Sequence, residues 1–231
     1  MFFYGIDVYY IVLVLPALAF ALWAQARVSS AFNRYSSVRT GNGLTGAEAA
    51  RLILDRSGLQ DVRIEQIDGR LSDHFDPRSG VIRLSRDVYY GATVAAVGVA
   101  AHECGHAIQY AQGYFPIKVR SAILPATQIG SNLAFPLFLL GLVFSYPPLM
   151  SAGILLFALV AFFQLVTLPV EYNASSRAVE ILSSSGMVSG EEETGVRRVL
   201  SAAALTYVAA LATALANLLR LILIAGRRSR D

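Results

Sequence analysis

Between Ser121 and Val170 the chain carries no Asp, Glu, Lys or Arg. One crossing of a bilayer takes about 20 apolar residues, so a stretch of this length is too long for one span and long enough for two. Tyr146-Pro147-Pro148 divides it. The pattern predicts a helical hairpin, Ile123 to Phe144 and Met150 to Leu168. Pro125 and Pro136 predict kinks in the first arm, which a membrane helix tolerates when neighbours satisfy the freed carbonyls. Gln128, Asn132 and Gln164 are expected to face other helices rather than lipid.

The totals agree. The chain is 55% hydrophobic and 15% charged, with a mean hydropathy of +0.52, whereas soluble domains carry about 25% charge. A net charge of +3, with no basic run interleaved with aromatics, gives no support for nucleic acid as a partner. The single cysteine, Cys104, excludes an intrachain disulfide.

Residues Tyr9 to Ala26 predict a first span, with Tyr9, Tyr10 and Trp23 as interface anchors. A cleaved signal peptide is disfavoured because no basic segment precedes it, only Asp7. Arg27, Arg34 and Arg39 follow instead, so the positive-inside rule places the N-terminus outside and the next domain in the cytoplasm. Val199 to Leu219 predicts a fourth span, with Arg220 near its end and Arg227, Arg228 and Arg230 in the tail. The expected organisation is a first span at 1–26, a cytoplasmic domain at 27–122, a transmembrane hairpin at 123–169, a helix and polar loop at 170–198, a fourth span at 199–225 and a basic tail at 226–231. Two crossings return the chain to its starting face.

In the polar domain, Ser36 to Gly43 reads as a linker, and Thr45-Gly46-Ala47-Glu48 is a capping box opening a helix that Gly58 stops. Val62 to Ile67 predicts a strand. Leu71 to Phe75 and Val81 to Ser85 predict a hairpin around Asp76-Pro77-Arg78-Ser79-Gly80. An edge strand of such a sheet is suited to hold an extended peptide by main-chain hydrogen bonds.

The chemistry lies in Ala101-His102-Glu103-Cys104-Gly105-His106. Thr93 is placed to cap a helix from Val94 to Ile108, ended by Gly113 and Pro116. On that helix His102 and His106 share one face and suit one zinc ion, with Glu103 placed to polarise a water. Cys104 points about 100° away from its neighbours and is expected to pack rather than to ligate. The surrounding Ala and Gly let other backbones approach closely.

A catalytic zinc wants a third protein ligand and an open position. A third histidine would have to be His74, in the hairpin, which also suits a substrate-binding or transition-state donor. The acidic candidates after the motif are Glu171, Glu180 and Glu191 to Glu193. Glu171 ranks first: it lies on the membrane face shared with the motif, near the start of a helix expected over Pro169 to Leu182, before a polar loop at Ser183 to Gly195.

The segment around His102-Glu103-x-x-His106, the two-span insertion, Ser72-Asp73-His74-Phe75-Asp76-Pro77-Arg78 and Leu168-Pro169-Val170-Glu171-Tyr172-Asn173-Ala174-Ser175 together resemble the YugP-type bacterial neutral zinc metallopeptidases. The wider arrangement is similar to HtpX-like and CAAX-prenyl-type membrane peptidases, which are gluzincins. The resemblance covers nearly the whole chain. It implies a mainly α integral membrane protein with about four transmembrane helices and a small α+β zincin-like catalytic domain at the cytoplasmic face of the bacterial plasma membrane. It implies Zn2+ bound by His102, His106 and Glu171, with Glu103 as general base. Where the wider group has Asp four residues after the ligand Glu, this chain has Ser175, which accepts a hydrogen bond but brings no charge.

The reaction so implied is hydrolysis of peptide bonds in membrane or juxtamembrane substrates, with His74, Arg177 or Tyr172 as candidate oxyanion donors. Two rival readings are an intramembrane zinc protease and a non-enzymatic membrane scaffold with a degenerate zinc site. The first is opposed by the short apolar run before His102. The second is opposed by Glu103, which metal binding alone does not need.

Overall fold

A computed structural model describes residues 7–228. A short π-helix, Tyr10–Val14, leads into α1 (Leu15–Tyr35). Then come α2 (Gly46–Arg56), β1 (Arg63–Ile67), β2 (His74–Asp76), β3 (Val81–Ser85), α3 (Arg86–Tyr89) and α4 (Val94–Ala111). Three long helices complete the chain: α5 (Phe115–Val143), α6 (Pro147–Ser184) and α7 (Glu191–Arg228). Among the described residues the protein is mostly helical, with four helices long and apolar enough to cross a membrane: Tyr10–Tyr35, Phe115–Val143, Pro147–Ser184 and Glu191–Arg227. Of the basic tail expected at 226–231, residues 229–231, including Arg230, lie outside the described residues.

The chain divides into two compact units. The first comprises Met1–Ala24, Lys118–Leu168 and Thr206–Asp231. Within it α5 and α6 approach at their glycines. A Cβ on Gly153 would stand 2.6 Å from the Ala134 carbonyl oxygen, and one on Gly141 would stand 2.5 Å from the Met150 nitrogen. Such contacts hold helices together where no hydrophobic drive separates them from lipid. Phe138, Met150, Leu221 and Ile224 form a small buried cluster. Arg220 pairs with Asp7 at 2.7 Å, and its guanidinium also lies 5.1 Å from the Tyr10 ring centroid. Large apolar side chains such as Leu155 (71% exposed) and Val143 (67%) point outward, the pattern of a surface solvated by acyl chains rather than water.

The second unit comprises Gln25–Ile117 and Pro169–Leu205. Its helix α2 starts as the sequence predicts. The Thr45 side chain accepts from the Glu48 backbone N–H, and the Glu48 carboxylate accepts from the Thr45 backbone N–H at 2.9 Å. The three strands are ordered β1-β3-β2. β2 and β3 pair antiparallel as the expected hairpin, with Phe75 opposite Ile82, while β1 pairs parallel to β3. That leaves β2 as an edge. The core is one cluster from α2, β3, α4 and the polar-unit parts of α6 and α7, including Ile53, Leu54, Ile82, Leu84, Val97 and Leu182.

Two expectations about α6 need correction. Pro169 does not start a helix; it lies inside one that runs unbroken from Pro147 to Ser184. Glu171 therefore sits in a helix interior rather than at a positive helix end. A proline there removes its own N–H bond and crowds the carbonyl one turn before it, a local cost that the continuous helix absorbs. The polar loop expected from Ser183 to Gly195 is correspondingly shorter, because α7 begins at Glu191.

Candidate metal centre

The site is built on α4. Thr93 caps it, its hydroxyl accepting from the Ala96 N–H at 3.3 Å. The helix is apolar or small on nearly every side, so it is buried on nearly every side. One face meets α2, where Cys104 is buried with its Sγ 3.6 Å from the Ala50 carbonyl. Burial pushes that thiol well above its ordinary pKa, with the neighbouring Glu103 charge adding to the effect. Another face meets α7, with Gly98 against Val196. A third meets α6 at Gly105, where a Cβ would stand 2.6 Å from the Ala174 carbonyl oxygen.

That close approach brings Glu171 to the histidines. Its Oε2 lies 3.3 Å from His102 Nε2 and 3.4 Å from His106 Nε2. The candidate ligand atoms of all three residues lie within 4.8 Å of one another. Ligands about 2.0–2.2 Å from a tetrahedral zinc ion stand about 3.3–3.6 Å apart. The two His–Glu separations match that spacing, so these residues are suited to hold one metal ion. Glu171 is 2% exposed, and the two histidine side chains are 14% and 12% exposed. A buried carboxylate of this kind is costly unless a cation neutralises it.

The hydrogen bonds behind the histidines indicate how His106 holds its proton. Arg177 carries donors only, so Asn173 Oδ1, 2.8 Å from Arg177 Nε, is an acceptor. The same oxygen accepts from Gln109 Nε2 at 2.9 Å, and the Val170 carbonyl accepts from that nitrogen at 2.9 Å. The Gln109 amide is thereby oriented with Oε1 toward His106 Nδ1, 3.0 Å away. Neutral His106 then protonates Nδ1 and turns the lone pair of Nε2 toward Glu171. Two acceptors that face each other at 3.4 Å call for a cation. For His106 in the metal-free protein, burial opposes protonation, but the Glu171 and Glu103 carboxylates and the Gln109 bond together raise the imidazole above its ordinary value. At His102, Nδ1 lies 3.2 Å from Ser175 Oγ.

Glu103 is 7% exposed, and its Oε2 accepts from the Phe75 backbone N–H of β2 at 2.9 Å. The adjacent Asp73 accepts from Ser85 N at 2.7 Å and Ser85 Oγ at 3.0 Å, tying the approach to β2 onto the end of β3. Burial raises the Asp73 carboxyl above its ordinary value; the Ser85 bonds oppose this and the Glu103 charge adds to it. His74 is half-buried in β2, with Nδ1 2.8 Å from the Ser72 carbonyl. Arg177 reaches from Asn173 to Gln112 Oε1 at 2.7 Å. Tyr172 is 48% exposed and lines a separate cavity.

The sequence offers Asn173 as a stand-in for the absent carboxylate behind a ligand histidine, and it acts at one remove, through Gln109; Gln109 itself and the Phe75 N–H are not singled out there. Gln109 had a readable signal, being one helical turn after His106 on the same face. Phe75 had none, because a backbone donor carries no residue signature.

The chain matches a family described as "Putative neutral zinc metallopeptidase" over residues 10–226. It is 49% identical over 215 residues to the "Putative membrane protease YugP" of Bacillus subtilis (strain 168), with 93% of this chain and 96% of that one covered. No solved structure matches it. A membrane chain matched along almost its whole length, with a His-His-Glu cluster suited to one metal ion, belongs to the neutral zinc metallopeptidase family.

Proposed function

We propose that the protein is a zinc-dependent, membrane-bound endopeptidase in which His102, His106 and Glu171 bind the metal and Glu103 is the general base. The observation that carries this reading is the convergence of both imidazole Nε2 atoms on Glu171 Oε2 at 3.3 and 3.4 Å, with Glu103 one residue along the same helix.

A bound zinc ion supplies Lewis acidity to a water and to a peptide carbonyl. The side chains do the rest. The Phe75 N–H fixes Glu103 Oε2, which leaves Oε1 to take the proton from the attacking water and return it to the leaving amine. Gln109 and Ser175 orient the two imidazoles. The Phe75 N–H on the outer side of β2 is taken by Glu103, so main-chain pairing with an extended substrate strand beside Glu103 falls to the Phe75 carbonyl on that side. Among the oxyanion candidates, Arg177 is occupied with Asn173 and Gln112. Neutral His74 gives its Nδ1 proton to Ser72, so its Nε2 donates only when the ring is protonated. Tyr172 lines a cavity apart from the metal centre and is set aside as a donor.

The substrates are peptide segments of membrane proteins or their juxtamembrane regions, cut at the cytoplasmic face of the plasma membrane. The Arg-rich flank of the first span supports that orientation. The test is Glu103→Gln in purified protein against an unstructured polypeptide. Zinc content is expected to persist while cleavage falls by more than 100-fold. Undiminished cleavage by that variant would overturn the assignment of the base.

A further inference from the structure

The polar unit holds a concavity of about 770 Å³ lined by the last turns of α1, the first turns of α7 and Tyr172 of α6. Four arginines line it: Arg27 and Arg34 from α1, and Arg197 and Arg198 from α7. Their spacing is helical. Arg27, Ser30, Ala31 and Arg34 lie on one face of α1, and Arg198, Ser201, Ala202 and Leu205 lie on one face of α7. Each helix thus offers guanidinium, a hydroxyl and a small residue to the same space, while Leu205 adds an apolar wall.

The arginines are oriented by neighbours. Arg198 Nη1 donates to Tyr35 Oη at 3.1 Å, and the Arg34 guanidinium lies 5.7 Å from the buried Tyr35 ring. Glu193 takes two nitrogens of Arg197, at 2.7 and 2.9 Å. Glu193 offsets Arg197, while Arg34 and Arg198 are held by the uncharged Tyr35 and keep the lining basic. Planar guanidiniums with spare N–H groups match the oxygens of a phosphate.

We propose that this cavity binds the phosphodiester headgroup of an anionic membrane lipid. The chemistry of the walls calls for an oxyanion. The lipid source follows from the helices that carry them: α1 and α7 are both membrane-crossing candidates, and the lining arginines lie where each apolar run meets its polar end. There a basic cavity meets the headgroup layer. The site is independent of the peptidase reading and survives if that reading fails.

The test uses the full-length protein in nanodiscs of phosphatidylcholine alone and with one-fifth phosphatidylglycerol. Lipid retained on the protein is read by native mass spectrometry, and thermal midpoint is read in parallel. Phosphatidylglycerol is expected to be retained at least 10-fold over phosphatidylcholine. Arg34→Gln/Arg198→Gln is expected to remove that preference, while Arg56→Gln/Arg86→Gln, with the same loss of charge at exposed positions elsewhere, keeps it. Equal loss in both double variants, or no preference in the wild type, would overturn the site. If inorganic phosphate in pure phosphatidylcholine reproduces the full thermal shift, the lipid assignment is overturned in favour of a free anion. Should the Arg34/Arg198 variant fail to fold, Ser30→Leu/Ser201→Leu, which fills the cavity and leaves the charge, must abolish retention; if it does not, the proposal is wrong.

Discussion

Gly105 and Ala174 touch backbone to backbone: a Cβ on Gly105 would stand 2.6 Å from the Ala174 carbonyl oxygen and 3.1 Å from its Cα. Gly105 immediately precedes His106, and Ala174 is one turn beyond Glu171 and immediately before Ser175. This one contact therefore sets the distance between the two halves of the metal centre. Gly105→Ala should push α6 away, at a cost of about 1–3 kcal/mol of overpacking. The expected result is a lowered thermal midpoint together with zinc affinity weakened by about 10-fold or more, read by chelator competition. Unchanged affinity would mean that the helices can separate without moving Glu171.

The Gln109 amide links His106 to Asn173 and, through it, to Arg177. Gln109→Leu removes the acceptor from His106 Nδ1 and leaves the Val170 carbonyl without the donor it now uses. Groups that orient a metal-binding histidine contribute about 10- to 100-fold in affinity. A loss in that range is expected for Gln109→Leu, measured by the same competition, with the protein still folded by circular dichroism.

Ser175 stands 3.2 Å from His102 Nδ1, a position at which a carboxylate would bring charge to the imidazole. Ser175→Asp should polarise the imidazole more strongly and tighten zinc binding several-fold, whereas Ser175→Ala should loosen it. The order Asp, Ser, Ala in affinity is the readout; any other order would show that Ser175 does not orient His102.

Protons and metal compete for the same lone pair on His106. Burial works against protonation there, but Glu171 raises the imidazole above its ordinary value. A raised folded value means that the His106–Glu171 contact stabilises the metal-free protein fully below about pH 6.5, the unfolded value, and that this contribution is lost as pH rises through the folded value. Metal binding runs the opposite way, because the ring must shed its proton. Zinc affinity should therefore climb with pH to a plateau above the range of an ordinary histidine. A plateau already reached at about pH 6 would contradict the geometry.

Much of this was legible in the sequence, for local reasons. The capping box at Thr45 and Glu48 and the α4 cap at Thr93 are short-range signals that appear where the residues place them; the β2–β3 hairpin appears too, but its first strand is His74–Asp76 rather than Leu71 to Phe75, with Asp76 paired to Val81 instead of lying in the turn. The four apolar segments were readable because lipid selects on length and polarity alone. Glu171 could be ranked first because an even number of crossings returns it to the face of the motif. What was not legible depended on tertiary context. Pro169 reads as a helix start, yet it lies within α6, because a helix anchored at both ends by packing overrides one missing N–H. The parallel pairing of β1 with β3 is a long-range choice that alternation cannot reveal. The Phe75 N–H on Glu103 and the Gln109 relay come from the register between elements, which no single segment encodes.

On the proposed reading one cation is held by residues from α4 and α6, and metal analysis of purified protein counts it. Wild type and Glu103→Gln are predicted to carry about one zinc per chain, and Glu171→Ala to carry almost none while keeping its helical content. A Glu171→Ala protein that retains a full equivalent of zinc would show that Glu171 is not a ligand.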